Sequence, residues 1–293
     1  MWGACFDQGQ PHEGVGDAPQ AMRDAGLMER LQSVGCHVTD VGDIRVRRKK
    51  GETVSDRQRH VARFNKRVHD RVKEIVETGN IALTLGGDHS IGLGTVAGHL
   101  SADPDCIVVW VDAHTDIHTI STSNSGNMHG MPVSFNIKQL QESFPNSELD
   151  WLTPSLDPSR LVYIGLRDVE EEEKKILDRL NISAFYMSDV DDLGIVRVVE
   201  KALHTLDPLR QRNIHLSFDI DSLDPEDASA TGTPVRGGLT LHEGITLCQL
   251  LHQTSRLRAI DMVEVNPFLA EDAIEAKKTV DAANDIILAA FGQ

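Results

Sequence analysis

The spacing of apolar positions along the chain alternates between a helical and an extended period. From residue 55 to 77 apolar side chains recur every three or four positions, which predicts an amphipathic helix ended by Gly79. Short, almost wholly apolar runs predict buried strands at 81–85, 106–112, 161–166, 185–187, 214–219 and 259–265. Helical patterns separate these runs at 91–100, 193–206, 241–254 and 272–290, with an acidic helix start at 170–173.

The order of these elements predicts the fold class. Strands that are apolar on both faces and separated by helices indicate a parallel sheet covered by helices. A chain of 293 residues fits one undivided α/β domain over residues 1–293. We therefore predict an α/β fold of three layers, αβα, with a central, mainly parallel sheet that binds its ligand at the carboxyl ends of the strands.

Charge and cysteine usage narrow the possible partners and the cellular compartment. Lys and Arg total 29 against 45 Asp and Glu, and the net charge of −16 argues against nucleic acid or an anionic membrane as a partner. No apolar run is long enough to predict a membrane span. The four cysteines are far apart and form no CxxC pair, which predicts free thiols in a reducing compartment. We expect a cytoplasmic protein, with a missing N-terminal targeting segment as the open alternative.

Acidic residues and histidines cluster where three of the predicted strands end. The cluster consists of His89, Asp112, His114, Asp116, Asp219 and Asp221. Side chains two positions apart on an extended segment point the same way, so we expect these residues to face one cavity. Four carboxylates crowded together repel one another unless cations lie among them. The pattern therefore predicts a metal site, and three such clusters at strand ends weigh against a purely structural role.

The residue types in this cluster indicate a reaction class. Two imidazoles and four carboxylates carry a charge of −4, which two divalent cations balance. Nitrogen and oxygen ligands without a thiolate suit Mn²⁺, and Fe²⁺, Co²⁺ and Zn²⁺ stay open. Two neighbouring cations can share a bridging water and lower its pKa, which gives a hydroxide nucleophile. The sequence therefore predicts metal-assisted hydrolysis.

Four motifs resemble the signatures of the ureohydrolases. They are Gly86-Gly87-Asp88-His89-Ser90, Asp112-Ala113-His114-Thr115-Asp116, Ser217-Phe218-Asp219-Ile220-Asp221 and Glu264-Val265-Asn266-Pro267. The resemblance runs in order from about residue 8 to 292 and implies a binuclear manganese centre on a three-layer α/β fold. Residues 125–130 and 165–170 are more similar to arginases than to agmatinases. The implied reaction is the hydrolysis of L-arginine to L-ornithine and urea. Another guanidino substrate, such as agmatine or a guanidino acid, and a non-catalytic arginase-like regulatory protein stay open.

The resemblance also implies roles for individual residues. One Mn²⁺ would be bound by His89, Asp112, Asp116 and Asp219, and the other by His114, Asp112, Asp219 and Asp221. The catalytic residues would be His129, which transfers protons, Glu264, which pairs with the guanidinium, Asp116, and Thr233 near the reacting centre. Glu264 and Thr233 would also bind the substrate.

The amino acid head of the substrate would be bound at the rim of the site. By resemblance, Ser125, Asn127 and His118 would contact its α-carboxylate, whereas Asp168 and Glu170 would surround its α-amino group. Two of these positions depart from the arginase pattern, because His118 stands where asparagine is expected and Glu170 where aspartate is expected. The family also implies a homotrimer.

Overall fold

The computed structural model describes residues 1–46, 51–142, 144 and 148–293. Its strands are β1 (Trp2–Cys5), β2 (Asp43–Arg45), β3 (Ala82–Gly86), β4 (Ile107–Val111), β5 (Leu161–Leu166), β6 (Ser183–Tyr186), β7 (Ile214–Asp219) and β8 (Leu257–Val263). Its α-helices are α1 (Ala18–Asp24), α2 (Leu27–Ser33), α3 (Val54–Glu77), α4 (Gly92–Ala102), α5 (Pro132–Asn136), α6 (Glu171–Leu180), α7 (Met187–Leu193), α8 (Ile195–Leu206), α9 (Leu241–Gln253) and α10 (Ala273–Ala290).

The described strands form one sheet in the order β2-β1-β3-β8-β7-β4-β5-β6. Neighbouring strands pair in parallel, as in the register of Val111 with Phe218 and of Asp219 with Val263. The carboxyl ends of β3, β8, β7 and β4 therefore lie side by side at one edge of the sheet. The chain segments in which the sequence predicts metal ligands lie at this edge.

The sheet is buried on both faces, as β4 illustrates. Val109 and Val111 pack into the core formed with α8, α9 and α10, whereas Val108 and Trp110 face the core on the side of α4 and α6. Because successive side chains of a strand point to opposite faces, this pattern requires helices on both sides. The predicted three-layer α/β fold is confirmed, and every described strand pair is parallel.

Several short elements differ from the sequence prediction. The helix predicted at 193–206 corresponds to α8, and the preceding helix α7 was not predicted. Gly194, whose φ is 78°, separates the two helices. The helices α1 and α2 have seven residues each, which is too short for a clear helical period. Among the described residues, no helix combines the length and hydropathy that crossing a membrane requires. The four cysteines are free thiols, as predicted.

Gly87 fixes the turn that follows β3. A Cβ at this position would lie 2.0 Å from the carbonyl oxygen of Phe6 and 2.9 Å from that of Ala4, so only glycine allows the two chain segments to approach. The amide of Gly87 donates to the Ala4 carbonyl and the amide of Asp88 donates to the Phe6 carbonyl, both at 3.0 Å. The backbone contact between β1 and β3 thereby sets the position of the next residue, His89.

Candidate metal centre

The predicted ligands lie in the turns that follow three strands. His89 begins a short 3-10 helix (His89–Ile91) after β3, and Asp219 is the last residue of β7. Asp219 accepts a hydrogen bond from the amide of Asp221 at 2.9 Å and so caps the next turn. The segment after β4 is not extended, because the strand ends at Val111 and Asp116 adopts a positive φ of 50°. The expectation that strand alternation aligns residues 112–116 is therefore wrong, and the turn itself makes them converge.

The first group of ligands surrounds the imidazole of His89. Its Nδ1 lies 3.1 Å from Oδ2 of Asp112, 3.1 Å from Oδ2 of Asp116 and 2.9 Å from Oδ2 of Asp219. All four side chains are buried or nearly so. Three carboxylates and one imidazole from three separate strand ends thus present their donor atoms to one small volume.

The second group shares Asp112 with the first. Nδ1 of His114 lies 3.3 Å from Oδ1 of Asp112 and 3.2 Å from Oδ2 of Asp221. Asp112 therefore directs one oxygen towards each histidine. The structure brings all six predicted ligands together in two adjoining groups, which is the arrangement that two neighbouring cations require.

The hydrogen bonding of His89 is a test of whether these residues fit a metal. Its buried Nδ1 makes no hydrogen bond in the described part of the chain, although three carboxylate oxygens lie about it. One ligand atom each from His89, Asp112 and Asp116 lie within 4.8 Å of one another. The same holds for one ligand atom each from Asp112, His114 and Asp221. Donor atoms that converge without bonding to one another suit a cation between them.

Two acids of the centre, Asp116 and Asp219, resist ionisation when no cation is present. Burial, followed by the charge of Asp112, raises the pKa of Asp116 to about 6. Burial and the charges of Asp221 and Asp112 raise the pKa of Asp219 well above its usual value. Protons and cations therefore compete for these oxygens, and a divalent cation relieves the repulsion that keeps the protons bound.

Residues that the sequence analysis did not select fix the imidazole of His89. The indole of Trp110 stacks on it with ring centroids 4.1 Å apart and planes at 9°, and the Trp110 Nε1–H donates to Oδ2 of Asp112 at 3.0 Å. On its other side, Nε2 of His89 hydrogen-bonds with Oγ of Ser217 at 2.9 Å. Trp110 and Ser217 each stand two positions before a ligand, and this spacing is the signal that could have identified them.

The predicted catalytic residues lie beside the two groups. Glu264 is buried at a positive φ of 61°, and its Oε1 accepts a hydrogen bond from the His89 amide at 2.8 Å. Nδ1 of His129 lies 3.6 Å from the same oxygen. The hydroxyl of Thr233 donates to Oδ2 of Asp221 at 2.9 Å. A left-handed backbone at two acids of one site, Asp116 and Glu264, is strain of the kind that collects at functional centres.

The environment of His129 favours its protonated form. Burial alone lowers the pKa of this imidazole, but the nearby carboxylate of Glu264 together with the charges of Asp116 and Asp88 outweighs burial, and the pKa rises above its ordinary value. An imidazole that lies beside a buried carboxylate and gains or loses a proton can act as a general acid or base.

The residues predicted to bind the amino acid head occupy the rim. Nε2 of His118 lies 3.5 Å from Oε2 of Glu170, and Nε2 of His114 lies 3.7 Å from Oδ2 of Asp168. Ser125 accepts a hydrogen bond from the Asn127 amide at 3.2 Å on the loop that precedes His129. Within the described residues, the side chains of Ser125 and Asn127 form no hydrogen bond with the metal cluster. Their roles stay predictions.

Comparison with known proteins identifies the family. The model of the arginase family matches residues 1–292. The chain belongs to the arginase family. It is 47% identical to the mitochondrial arginase-2 of Homo sapiens over 296 aligned residues, which cover 99% of this chain and 84% of the relative.

Solved structures agree with this assignment. The arginase of Bacillus caldovelox is 36% identical, with a TM-score of 0.89 and coverage of 100% of this chain and 97% of that one. The arginase of Entamoeba histolytica in complex with L-ornithine is 31% identical, with a TM-score of 0.88 and the same coverage. The predicted family and the predicted class of enzyme, a hydrolase, are confirmed.

Proposed function

We propose that this arginase family member hydrolyses L-arginine to L-ornithine and urea and that two Mn²⁺ ions per chain occupy the candidate metal centre. The observation that carries the proposal is the pair of adjoining ligand groups that share Asp112. Membership of the family and the L-ornithine complex of the Entamoeba histolytica arginase support the substrate. The ligand set of imidazoles and carboxylates, with no thiolate, supports Mn²⁺.

The residues of the site divide the chemistry between them. When bound, the cation pair supplies a water of lowered pKa as the nucleophile. The buried carboxylate of Glu264 binds the planar guanidinium through parallel hydrogen bonds, which orients the central carbon. His129, 3.6 Å from Glu264, delivers a proton to the departing amine. Thr233, held by Asp221, offers a hydroxyl beside the reacting centre.

The rim recognises the amino acid head of the substrate. Ser125, Asn127 and His118 donate hydrogen bonds to the α-carboxylate, and the acids Asp168 and Glu170 attract the α-ammonium group. The departures from the arginase pattern at His118 and Glu170 contact each other, so the pair keeps one donor and one acid at the rim. This supports an α-amino acid substrate over agmatine, which has no carboxylate to bind.

Urea release by the Mn²⁺-loaded protein tests the proposal. We expect urea from L-arginine, a much smaller rate with agmatine, and loss of both rates after chelation. Two Mn²⁺ per chain should be found by metal analysis. Full Mn²⁺ loading without urea from either substrate would refute catalysis and favour the non-catalytic alternative, whereas a preference for agmatine or a guanidino acid would refute the proposed rim.

We also propose that residues 1–293 form one catalytic domain, that the chain assembles as a homotrimer and that it acts in the cytoplasm. The single sheet supports one domain, and the family resemblance supports the trimer. The name of the human relative places that protein in mitochondria, so the compartment stays a prediction. Sedimentation analysis and localisation of the tagged protein in its host test these proposals.

A further inference from the structure

A buried network of polar side chains lies behind the metal centre, between the sheet and α4. It consists of His99, His215, Asp261, Thr95 and Ser217, each with no solvent exposure or almost none. None of these residues belongs to the ligand set or to the proposed catalytic residues. Because burying polar and charged groups costs free energy unless they are paired, a network of this size in the core calls for a role.

Asp261 is the acceptor on which the network converges. Its Oδ2 lies 2.9 Å from Nε2 of His215 and 3.4 Å from Oγ of Ser217, and it also accepts the hydroxyl of Thr95. In the part of the chain that the structure describes, no Lys or Arg forms an ion pair with Asp261. One oxygen of Asp261 thus receives three hydrogen-bond donors, and its role as acceptor orients each of them.

The positions of the protons in the network can be assigned by starting from His99, at the end opposite to the metal centre. Burial and the neighbouring His215 lower the pKa of His99 well below its usual value, so this imidazole is neutral. Nδ1 of His99 and Nδ1 of His215 are 3.2 Å apart, and Nε2 of His215 donates to Asp261. Because Nε2 of His215 carries the hydrogen that Asp261 accepts, its Nδ1 is free to accept the hydrogen bond from Nδ1 of His99.

The near end of the network reaches a metal ligand. Ser217 carries one hydroxyl proton, and its two described partners are Asp261 and Nε2 of His89. If the serine hydroxyl donates to Asp261, its oxygen must accept a hydrogen bond from Nε2–H of His89. Nδ1 of His89 then carries no hydrogen and presents its lone pair to the metal centre. If the proton goes to His89 instead, Nδ1 keeps its hydrogen and cannot bind a cation. In the structure the Ser217 hydroxyl donates to Oδ2 of Asp261, which corresponds to the first arrangement.

We propose that Asp261 is a positioning residue that acts through Ser217 to hold His89 in the tautomer that binds the metal. The proposal rests on the proposed function, since it requires that His89 binds a cation. Metal-bound histidines in general donate their second N–H to an acceptor. Here the acceptor would be a relay of two side chains, Ser217 and then Asp261. A carboxylate at the end of the relay also makes the imidazole a stronger donor to the metal.

The test is the affinity for Mn²⁺, measured by calorimetry on the full chain with Asp261→Asn, Ser217→Ala and the double variant. An amide can donate to Ser217, which turns the serine proton towards His89. We expect each single variant to weaken Mn²⁺ binding at the site that contains His89 by about 10- to 100-fold. Because both act on one relay, the double variant should be no weaker than the more affected single variant.

Thr95→Val is the matched control, since it removes another hydrogen bond to the same carboxylate but none in the relay. It should bind Mn²⁺ within about threefold of the unchanged protein, well below the effect of a relay variant. At saturating Mn²⁺ the KM for L-arginine of Asp261→Asn should equal that of the unchanged protein, because the defect concerns metal occupancy alone.

Independent effects that multiply in the double variant, or full Mn²⁺ affinity in a folded Asp261→Asn protein, would overturn the relay. If Asp261→Asn does not fold, Ser217→Ala decides, since the relay then requires the same loss of affinity from it and undiminished affinity refutes it. If the protein without substitutions binds no Mn²⁺, the proposed function is refuted. This outcome differs from the outcomes that refute the relay alone.

Discussion

Nε2 of His118 lies 3.5 Å from Oε2 of Glu170 at the rim of the metal centre. These are the two rim positions at which the chain departs from the arginase pattern, and the larger side chain at each meets the other. Nδ1 of His118 hydrogen-bonds with the hydroxyl of Thr122 at 3.1 Å, so the imidazole is held from both sides. The two substitutions therefore form one structural unit and should be tested together.

We expect His118→Asn and Glu170→Asp to be coupled in substrate binding. Each single change shortens one partner and breaks the contact, so each should raise the KM for L-arginine by about 3- to 10-fold, as expected for a coupling near 1 kcal/mol. The double variant should be less impaired than the product of the two effects, as a double-mutant cycle would reveal. Agmatine, which keeps the ammonium group but has no carboxylate, serves as the control substrate for His118→Asn. An equal loss of this variant with agmatine would contradict a role of His118 in binding the α-carboxylate.

Asp112→Asn should abolish activity by emptying the metal centre. Asp112 directs one oxygen to each ligand group, and an amide offers one neutral oxygen where two charged ones are needed. The Mn²⁺ affinity should fall by more than about 100-fold, beyond the effect of changing a supporting residue. Asp281→Asn, which removes a partly exposed acid on α10 that pairs with Lys277, is the control and should retain full activity. Two tightly bound Mn²⁺ in Asp112→Asn would contradict the assignment.

His129→Gln should separate proton transfer from metal binding. The imidazole contacts Glu264 and none of the six ligands in the ion pairs of the described residues, so its loss should leave the Mn²⁺ content unchanged. We expect kcat to fall by about 100-fold or more, which is typical for a lost general acid. Steady-state kinetics with metal analysis of the same sample measures both. Unchanged kcat in a fully loaded variant would assign proton transfer to another group.

The stabilising effect of Mn²⁺ should grow as pH rises. In metal-free protein, burial and then Asp112 raise the pKa of Asp116 to about 6, from an ordinary value of 3.8. A carboxyl group whose pKa is raised by folding contributes stability that is present below its unfolded pKa and is lost as pH rises through the folded one. Metal-free protein should therefore lose this stability between about pH 4 and pH 6.

Mn²⁺ replaces the protons on these oxygens, so the rise in Tm on adding Mn²⁺ should be larger at pH 7 than at pH 5. Thermal unfolding with Mn²⁺ and with a chelator, at both pH values, measures this difference. Mg²⁺ at the same concentration controls for ionic strength. A rise in Tm that is constant or that shrinks with pH would contradict the competition between protons and cations.

The thiols should differ sharply in reactivity. Cys106 and Cys248 are fully buried, and burial raises the pKa of each well above its usual value. Cys36 is partly exposed, so it should be alkylated first, and slowly, because burial also raises its pKa. Mass spectrometry of the native protein after alkylation locates the label. Modification of Cys106 or Cys248 without denaturant would show that the core opens more than its packing indicates.

The secondary-structure elements with a strong period and the candidate ligands of the site could be predicted from local sequence patterns. The long helix α3 is amphipathic and begins with a capping box of Thr53 and Asp56, and the predicted strand at 161–166 coincides with β5. These features depend on local burial and hydrogen bonding, which the spacing of side chains records directly. The metal cluster was predicted from the same kind of local pattern, because acids and histidines follow three apolar strands.

Which of these groups come into contact depends on the packing of the whole chain. The strand order places β3 beside β8 and β7 beside β4, and no local pattern encodes the pairing of strands far apart in sequence. The left-handed backbone of Asp116 and the hydrogen bonds that link His89 through Ser217 to Asp261 depend on this non-local packing. An acid within the apolar strand β8 was visible in the sequence, but its partners became defined only when the sheet brought β7 against it.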